Sequence, residues 1–162
     1  MAIKRLEILR AIHQRLNTLI DGTGGFYTDL RGKVFVFRQD AFQSHEMPGL
    51  NITRTLNDFI SELVARDASK HNQILSVDVD LICENGKLSH ELAEQIIADI
   101  YKAIRDTVAG GLTWGGLAYD TVPISDEVAV DRVSVDQKTT KIVGGGKVSF
   151  AVHYATKQFE ES

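Results

Sequence analysis

Cysteine is nearly missing from this chain. Cys83 is the single one among 162 residues. No disulfide can close within one copy, and a zinc site built from cysteine thiolates has no ligand set to stand on. A single thiol is compatible with a reducing cytoplasm. Long apolar runs are missing too: no stretch reaches the roughly 20 residues needed to span a bilayer as a helix. The first residues, Met1 to Glu7, do not read as a secretory signal, because Glu7, Arg10, His13 and Arg15 interrupt every apolar run there. The Asn51-Ile52-Thr53 sequon, without such a signal, reads as chance. Cationic excess is also lacking. Lys and Arg number 18 against 22 Asp and Glu, a net charge of −4, which gives no support to a free duplex-DNA binder.

Recognisable catalytic motifs are absent as well. Gly144-Gly145-Gly146-Lys147 resembles the end of a phosphate loop, but Lys141 stands where the motif needs glycine and Val148 where it needs Ser or Thr. A strand pattern follows it where a helix should begin. Gly22-Thr23-Gly24-Gly25 follows a helix and lacks the third glycine of a dinucleotide fingerprint. No Gly-x-Ser-x-Gly elbow occurs, and His45-Glu46 has no second histidine at helical spacing. His13, His45, His71, His90 and His153 are scattered over different segments. Cys83 falls on an apolar strand face, where a small buried hydrophobe is the plainer reading than a nucleophile. Asp78 and Asp80 alternate on one strand face with Glu84 nearby. Such carboxylates can hold a hard cation or do acid–base work, although alternation alone also puts acids on a solvated face. If that face lined a shared channel, its charge would repel DNA phosphate. We assign no catalytic, cofactor-binding or metal-ligating residue.

What is present is an ordinary globular composition, 43% hydrophobic and 25% charged. A chain of this length can bury about 68–70% of its unfolded surface, so one domain over residues 1–162 is the simplest organisation. Ile3, Leu6, Leu9, Ile12, Leu16, Leu19 and Ile20 recur at helical spacing and predict a helix over 3–20, closed by Asp21-Gly22-Thr23-Gly24-Gly25. Lys4, Arg5, Arg10 and Arg15 are assigned to its solvated face. Lys33–Arg38 is apolar on both faces and predicts a strand covered on both sides. Gln39–Pro48 reads as a loop, and Leu50-Asn51-Ile52-Thr53 as a second strand. Leu56, Phe59, Ile60, Leu63 and Val64 have helical spacing and predict a short helix, followed by a polar, exposed stretch Arg66–Gln73. Leu75–Cys83 alternates and is the clearest strand, followed by a turn at Glu84-Asn85-Gly86-Lys87.

Ser89 can cap a second long helix with Glu91 and Glu94 in its first turn, and the stripe Leu92, Ile96, Ile100, Ile104, Val108 carries it to Val108. Gly110-Gly111 stops it, and Trp114-Gly115-Gly116 turns the chain into a strand from Leu117. The lone Trp114 is either an exposed anchor or part of the core. Val128 and Val130 are out of phase with Val133 and Val135, which places a bulge near Asp131-Arg132. Asp136–Gly146 reads as a mobile loop, Lys147–Ala155 as a last strand, and Thr156–Ser162 as a frayed tail. The fold class is therefore α+β (mixed α/β): a mixed, mainly antiparallel sheet with two long helices packed on it.

This arrangement resembles the tail terminator proteins of tailed bacteriophages. The likeness lies in element order: the opening helix Ala2–Ile20, the strand Lys33–Arg38, Pro48-Gly49-Leu50 leading into a second strand, the strand Leu75–Cys83, the helix Glu91–Val108, the turn Gly110–Gly116 into Leu117–Val122, and the closing strand Val148–Tyr154. It departs from the family where Leu56–Gln73 reads partly helical and where Asp136–Gly146 is long. The resemblance implies an assembly protein of the virion tail, made in the bacterial host cytoplasm. It would form a ring, typically a hexamer, on the end of the tail tube, stop tube polymerisation and present a surface for head joining. Its partners would be further copies of itself, the tube protein and a head-completion protein, with no cofactor, membrane or sequence-specific nucleic acid. As contact residues we single out Lys138, Lys141 and Lys147, Trp114 and Arg10. Other readings are a head–tail connector or tail completion protein, a related protein of a prophage-derived contractile machine, and a small metal-dependent enzyme using Asp78, Asp80 and Glu84.

Overall fold

The computed structural model describes residues 3–40, 42–59, 70–84, 89–134 and 140–157. Its elements in order are helix α1 (Lys4–Leu19), strands β1 (Val34–Val36), β2 (Gly49–Phe59) and β3 (Lys70–Glu84), helix α2 (Ser89–Ile104), and strands β4 (Asp120–Ser134) and β5 (Thr140–Lys157). The sheet order is β1-β2-β3-β5-β4. Only β1 and β2 are parallel; every other neighbouring pair is antiparallel. This is the α+β class expected from the pattern.

Alternation decides which side of the sheet is covered. Leu75, Val77, Val79 and Leu81 of β3 are buried together with their β5 neighbours Val148, Phe150, Val152 and Tyr154. They share one core with Ile8, Leu9, Ile12 and Leu16 of α1 and Ile96, Ile97 and Ile100 of α2. Both helices therefore lie on the same face. Each fully buried aliphatic side chain of this kind contributes roughly 1.5–3 kcal/mol of transfer free energy.

Several expectations are corrected. The helix expected from Leu56 is a strand as far as Phe59, because β2 runs on against β3 with a bulge between Arg54 and Leu56. The three- and four-residue spacing fits either period over so short a span, and cross-strand pairing decides; Ile60–Val64 lies outside the described residues. The strand around Leu75 begins at Lys70, and Gln73, expected to be exposed, is buried. Its Oε1 accepts from Asn57 Nδ2 at 2.8 Å and from the Tyr154 hydroxyl at 2.8 Å. The rest of the polar stretch, 66–69, lies outside the described residues. Strand β1 is a three-residue edge: Val34 is buried on the core side, Phe35 is half-buried on the other against Phe42 and Arg38, and cover ends at exposed Val36 and Phe37. Phe37 ends it by turning to a φ of +53°.

Helix α2 ends at Ile104, not Val108, which is 97% exposed. The final strand pair is longer than its pattern implied. The glycines of the expected loop Asp136–Gly146 sit inside β5, between β3 and β4: Gly144, Gly145 and Gly146 pair with Cys83, Ile82 and Leu81 on one side and with Val130, Ala129 and Val128 on the other. Residues 136–139 lie outside the described ones. The β4 bulge falls between Pro123 and Ser125, not near Asp131-Arg132, and β4 starts at Asp120, not Leu117. Thr156, expected in the frayed tail, is buried in β5, which ends at Lys157.

Candidate interaction surface

Arg15, expected to be solvated, is only 5% exposed. It lies on the apolar stripe of α1, one turn from Ile12 and beside Leu16. From there its guanidinium reaches the end of α2, donating from Nη1 to the carbonyls of Ile104 at 2.7 Å and Gly111 at 2.8 Å, and from Nη2 to that of Ala109 at 3.0 Å. These include carbonyls that a helix C-terminus leaves without partners, and their partial negative charge favours a cation. The guanidinium lies 3.9 Å from the Trp114 ring centroid. Burial pushes the Arg15 pKa down, opposed by the nearby Asp106.

Trp114 is buried, with the backbone in the left-handed region at φ +53°, and its Nε1 donates to Thr121 Oγ1 at 2.8 Å. The Thr121 hydroxyl donates to the Leu112 carbonyl at 2.6 Å. One arginine thus joins α1, the end of α2 and the turn that leads into β4. Gly110 is required in that turn: its φ is +115°, and a Cβ there would stand 2.7 Å from Gly115 N. A pocket of about 280 Å³ opens beside this latch, walled by Ala11, Gln14, Thr18 and Leu19 of α1 and by Ala109. It falls just under the roughly 300–1,000 Å³ usual for small-molecule sites. The long turn Gly22–Gly32 is fixed by Asp99 of α2, whose carboxylate accepts from Tyr27 N, Thr28 N and Thr28 Oγ1 at 2.6–2.9 Å.

On the sheet face away from the helices, Phe42 and Glu46 pack over Gly49, and the Asn51 side chain bonds the Arg38 backbone; no described helix covers the rest. Register places its residues in rows across β2, β3, β5 and β4: Asn51, Asp80, Lys147, Glu127; then Thr53, Asp78, Ser149, Ser125; then Leu56, Ser76, Ala151, Val122; then Asp58, Ile74, His153, Asp120. In the third row small residues, Ser76 and Ala151, sit between Leu56 and Val122 at the flanks. Five carboxylates stand in these rows against Lys147 and His153. Asp78 accepts from Ser149 Oγ at 2.7 Å and lies 4.0 Å from Lys147 Nζ. Asp80 has its pKa raised, first by burial, with Lys147 opposing and Asp78 and Glu127 adding to the rise. Among the described residues no three His, Cys, Asp or Glu side chains converge as metal ligands.

Both edges of the sheet are open among the described residues. β1 covers β2 only along Leu50–Ile52, leaving the segment from Thr53 to Asp58 without a described strand outside it. β4 has no described strand outside it. Tyr119, Val122 and Ile124 are 60%, 41% and 57% exposed there, and Leu56 on β2 is 54% exposed.

Of the five contact residues taken from the sequence, the three whose side chains are described stand apart. Arg10 is exposed on α1, Trp114 is buried between helix and sheet, and Lys147 stands on the opposite sheet face. Lys141 pairs through its backbone with Val133, its side chain lying outside the described residues, as Lys138 does altogether. Sequence reading missed Arg15, although a charge between Ile12 and Leu16 on the apolar stripe was a visible signal. It also missed the open edges, which no local pattern marks. Comparison with protein families and with curated proteins finds no match.

Proposed function

We propose that this chain is an assembly protein of a phage tail, of the terminator type, forming a ring that caps the tail tube, stops tube polymerisation and allows head joining. The observation that carries the reading is an acidic sheet face that no described helix covers, lying between two edges with no described strand along much of their length. A catalytic scaffold gains nothing from unpaired edges, which are an aggregation liability unless covered. A subunit that meets copies of itself has a use for them. The acidic rows serve the same end: turned toward a central passage, Asp58, Asp78, Asp80, Asp120 and Glu127 would repel DNA phosphate at close range, where screening over a Debye length of about 8 Å is weakest. The reading also rests on the element order from which the resemblance was drawn. Among the described residues no helix is long and apolar enough to cross a membrane.

The partners on this reading are further copies of the chain, a tube subunit and a head-completion protein. Electron microscopy of the protein mixed with polymerising tube subunits tests it. Tubes of limited length with an added ring at one end are expected. Tubes of uncontrolled length with bare ends would sink the proposal, and binding to a portal-side protein in place of tube ends would move the chain to the connector class.

A further inference from the structure

We propose that the β4 edge over Asp120–Glu127 abuts, antiparallel, the β2 edge from Thr53 to Asp58 of a second copy, so that one sheet runs into the next. The inference rests on the ring reading and names the two surfaces that make the ring.

Strand direction is the first support. β2, β3, β5 and β4 alternate in sense across the sheet. β4 and β2 therefore run opposite to each other, and placing the β4 of one copy beside the β2 of the next continues the antiparallel order. Charge is the second. The exposed segment Tyr119–Glu127 carries Asp120, Asp126 and Glu127 and no cation. On the other edge the segment from Thr53 to Asp58 carries exposed Arg54 against the single anion Asp58, so it meets these acids with a cation and far less repulsion than a second β4 would. Apolar surface is the third: Val122 and Ile124 on one edge and Leu56 on the other offer aliphatic side chains that edge-to-edge contact would shield from water.

The same charges argue against a two-fold contact. β4 against β4 would set three acids against three acids, and like charges across strands destabilise. A contact between two different patches is heterologous, and repeated copies close into a ring or run on as a filament. Pro123 removes one backbone donor from the β4 edge, and the bulge beside it breaks the ladder. A single pair is thereby kept weak, and closure depends on many contacts forming together.

Cross-linking of the full chain tests this. In a Cys83→Ala background, Ile124→Cys, Leu56→Cys and the double variant are treated at high protein concentration with a bis-maleimide that spans neighbouring strands, and sized on denaturing gels. The double variant is expected to give a ladder of multimers, and each single variant to remain monomeric. Dimers from Ile124→Cys alone, as abundant as the multimers of the double variant, would overturn the proposal in favour of β4–β4 pairing. A double variant no more cross-linked than the singles would also overturn it. Cys83→Ala alone, with an unchanged circular dichroism spectrum and melting temperature, shows that the background folds. Ile124→Lys should leave the melting temperature unchanged and abolish cross-linking between Leu56→Cys and a Val122→Cys placed on the same chain. The outcome separates from the tail assignment: a cross-linked ring that does not cap tubes keeps this interface and sinks the terminator reading, whereas capping without cross-links does the reverse.

Discussion

Replacing Arg15 by alanine should destabilise the protein by about 2–4 kcal/mol. Its guanidinium makes three hydrogen bonds to backbone carbonyls. Bonds to a charged group are worth roughly 1.5–3 kcal/mol each. The contact with the Trp114 face adds about 1–2 kcal/mol. Against this gross gain stands the desolvation of a buried cation, which costs several kcal/mol. Alanine recovers that cost but leaves the carbonyls of Ile104, Ala109 and Gly111 without their donor. The pocket beside them lets water reach some of these groups, which limits the loss. For a chain of this size 1 kcal/mol moves Tm by about 2–4 °C, so a fall of about 5–15 °C is expected. Urea unfolding should show a lower midpoint with an unchanged m value. Arg15→Lys keeps the charge but not the planar fork, and should lose about half as much. A change within about 0.5 kcal/mol for Arg15→Ala, the range of ordinary surface substitutions, would refute the latch.

Three further outcomes follow from buried or paired acids. Asp99→Asn puts an amide where three donors point at a carboxylate, and should cost about 2–3 kcal/mol by urea unfolding while freeing the Gly22–Gly32 turn to exchange its amide hydrogens faster. Asp80 has its folded pKa raised, so its contribution to stability is greatest below the unfolded value and declines as pH rises through the folded one. Asp80→Asn should therefore raise Tm at pH 7, with the difference shrinking toward pH 3; a lower Tm at pH 7 would show that Lys147 outweighs burial. Glu46, held by Arg38 and by Gln43 N, and Asp29, held by Arg31, are both pushed down to about 2. Their contribution is complete above the unfolded carboxylate values and is lost as pH falls through about 2. Tm measured from pH 5 to pH 2 should fall less steeply in a Glu46→Gln, Asp29→Asn double variant than in the unmodified chain.

Periodicity made the two helices and the central strand legible. The Ile12–Leu16 stripe, the Ile96–Ile100 stripe and the Leu75–Leu81 alternation each commit a face to the core, and a one-residue shift of a strand would expose that face. The charge balance, the lone Cys83 and the missing catalytic motifs were likewise readable from residues alone, because they need no geometry. Element ends were less so. Leu56 and Phe59 fit a helix as well as a strand, and the glycines Gly144–Gly146 looked like loop punctuation, yet pairing on both sides holds them in the sheet.

Trp114 and the glycines around it mark a turn in sequence, but that the turn is locked by an arginine 99 positions earlier is a fact of tertiary structure. Strand order is another. Nothing local says that β5 lies between β3 and β4, and it is that order which puts β4 and the part of β2 beyond β1 at opposite sides, with no described strand outside them. Sequence determines which residues seek the core, since hydrophobic burial is read off side-chain period. Which edges and which face stay uncovered depends on contacts between residues far apart in the chain, and these exist only once the sheet has closed on its helices.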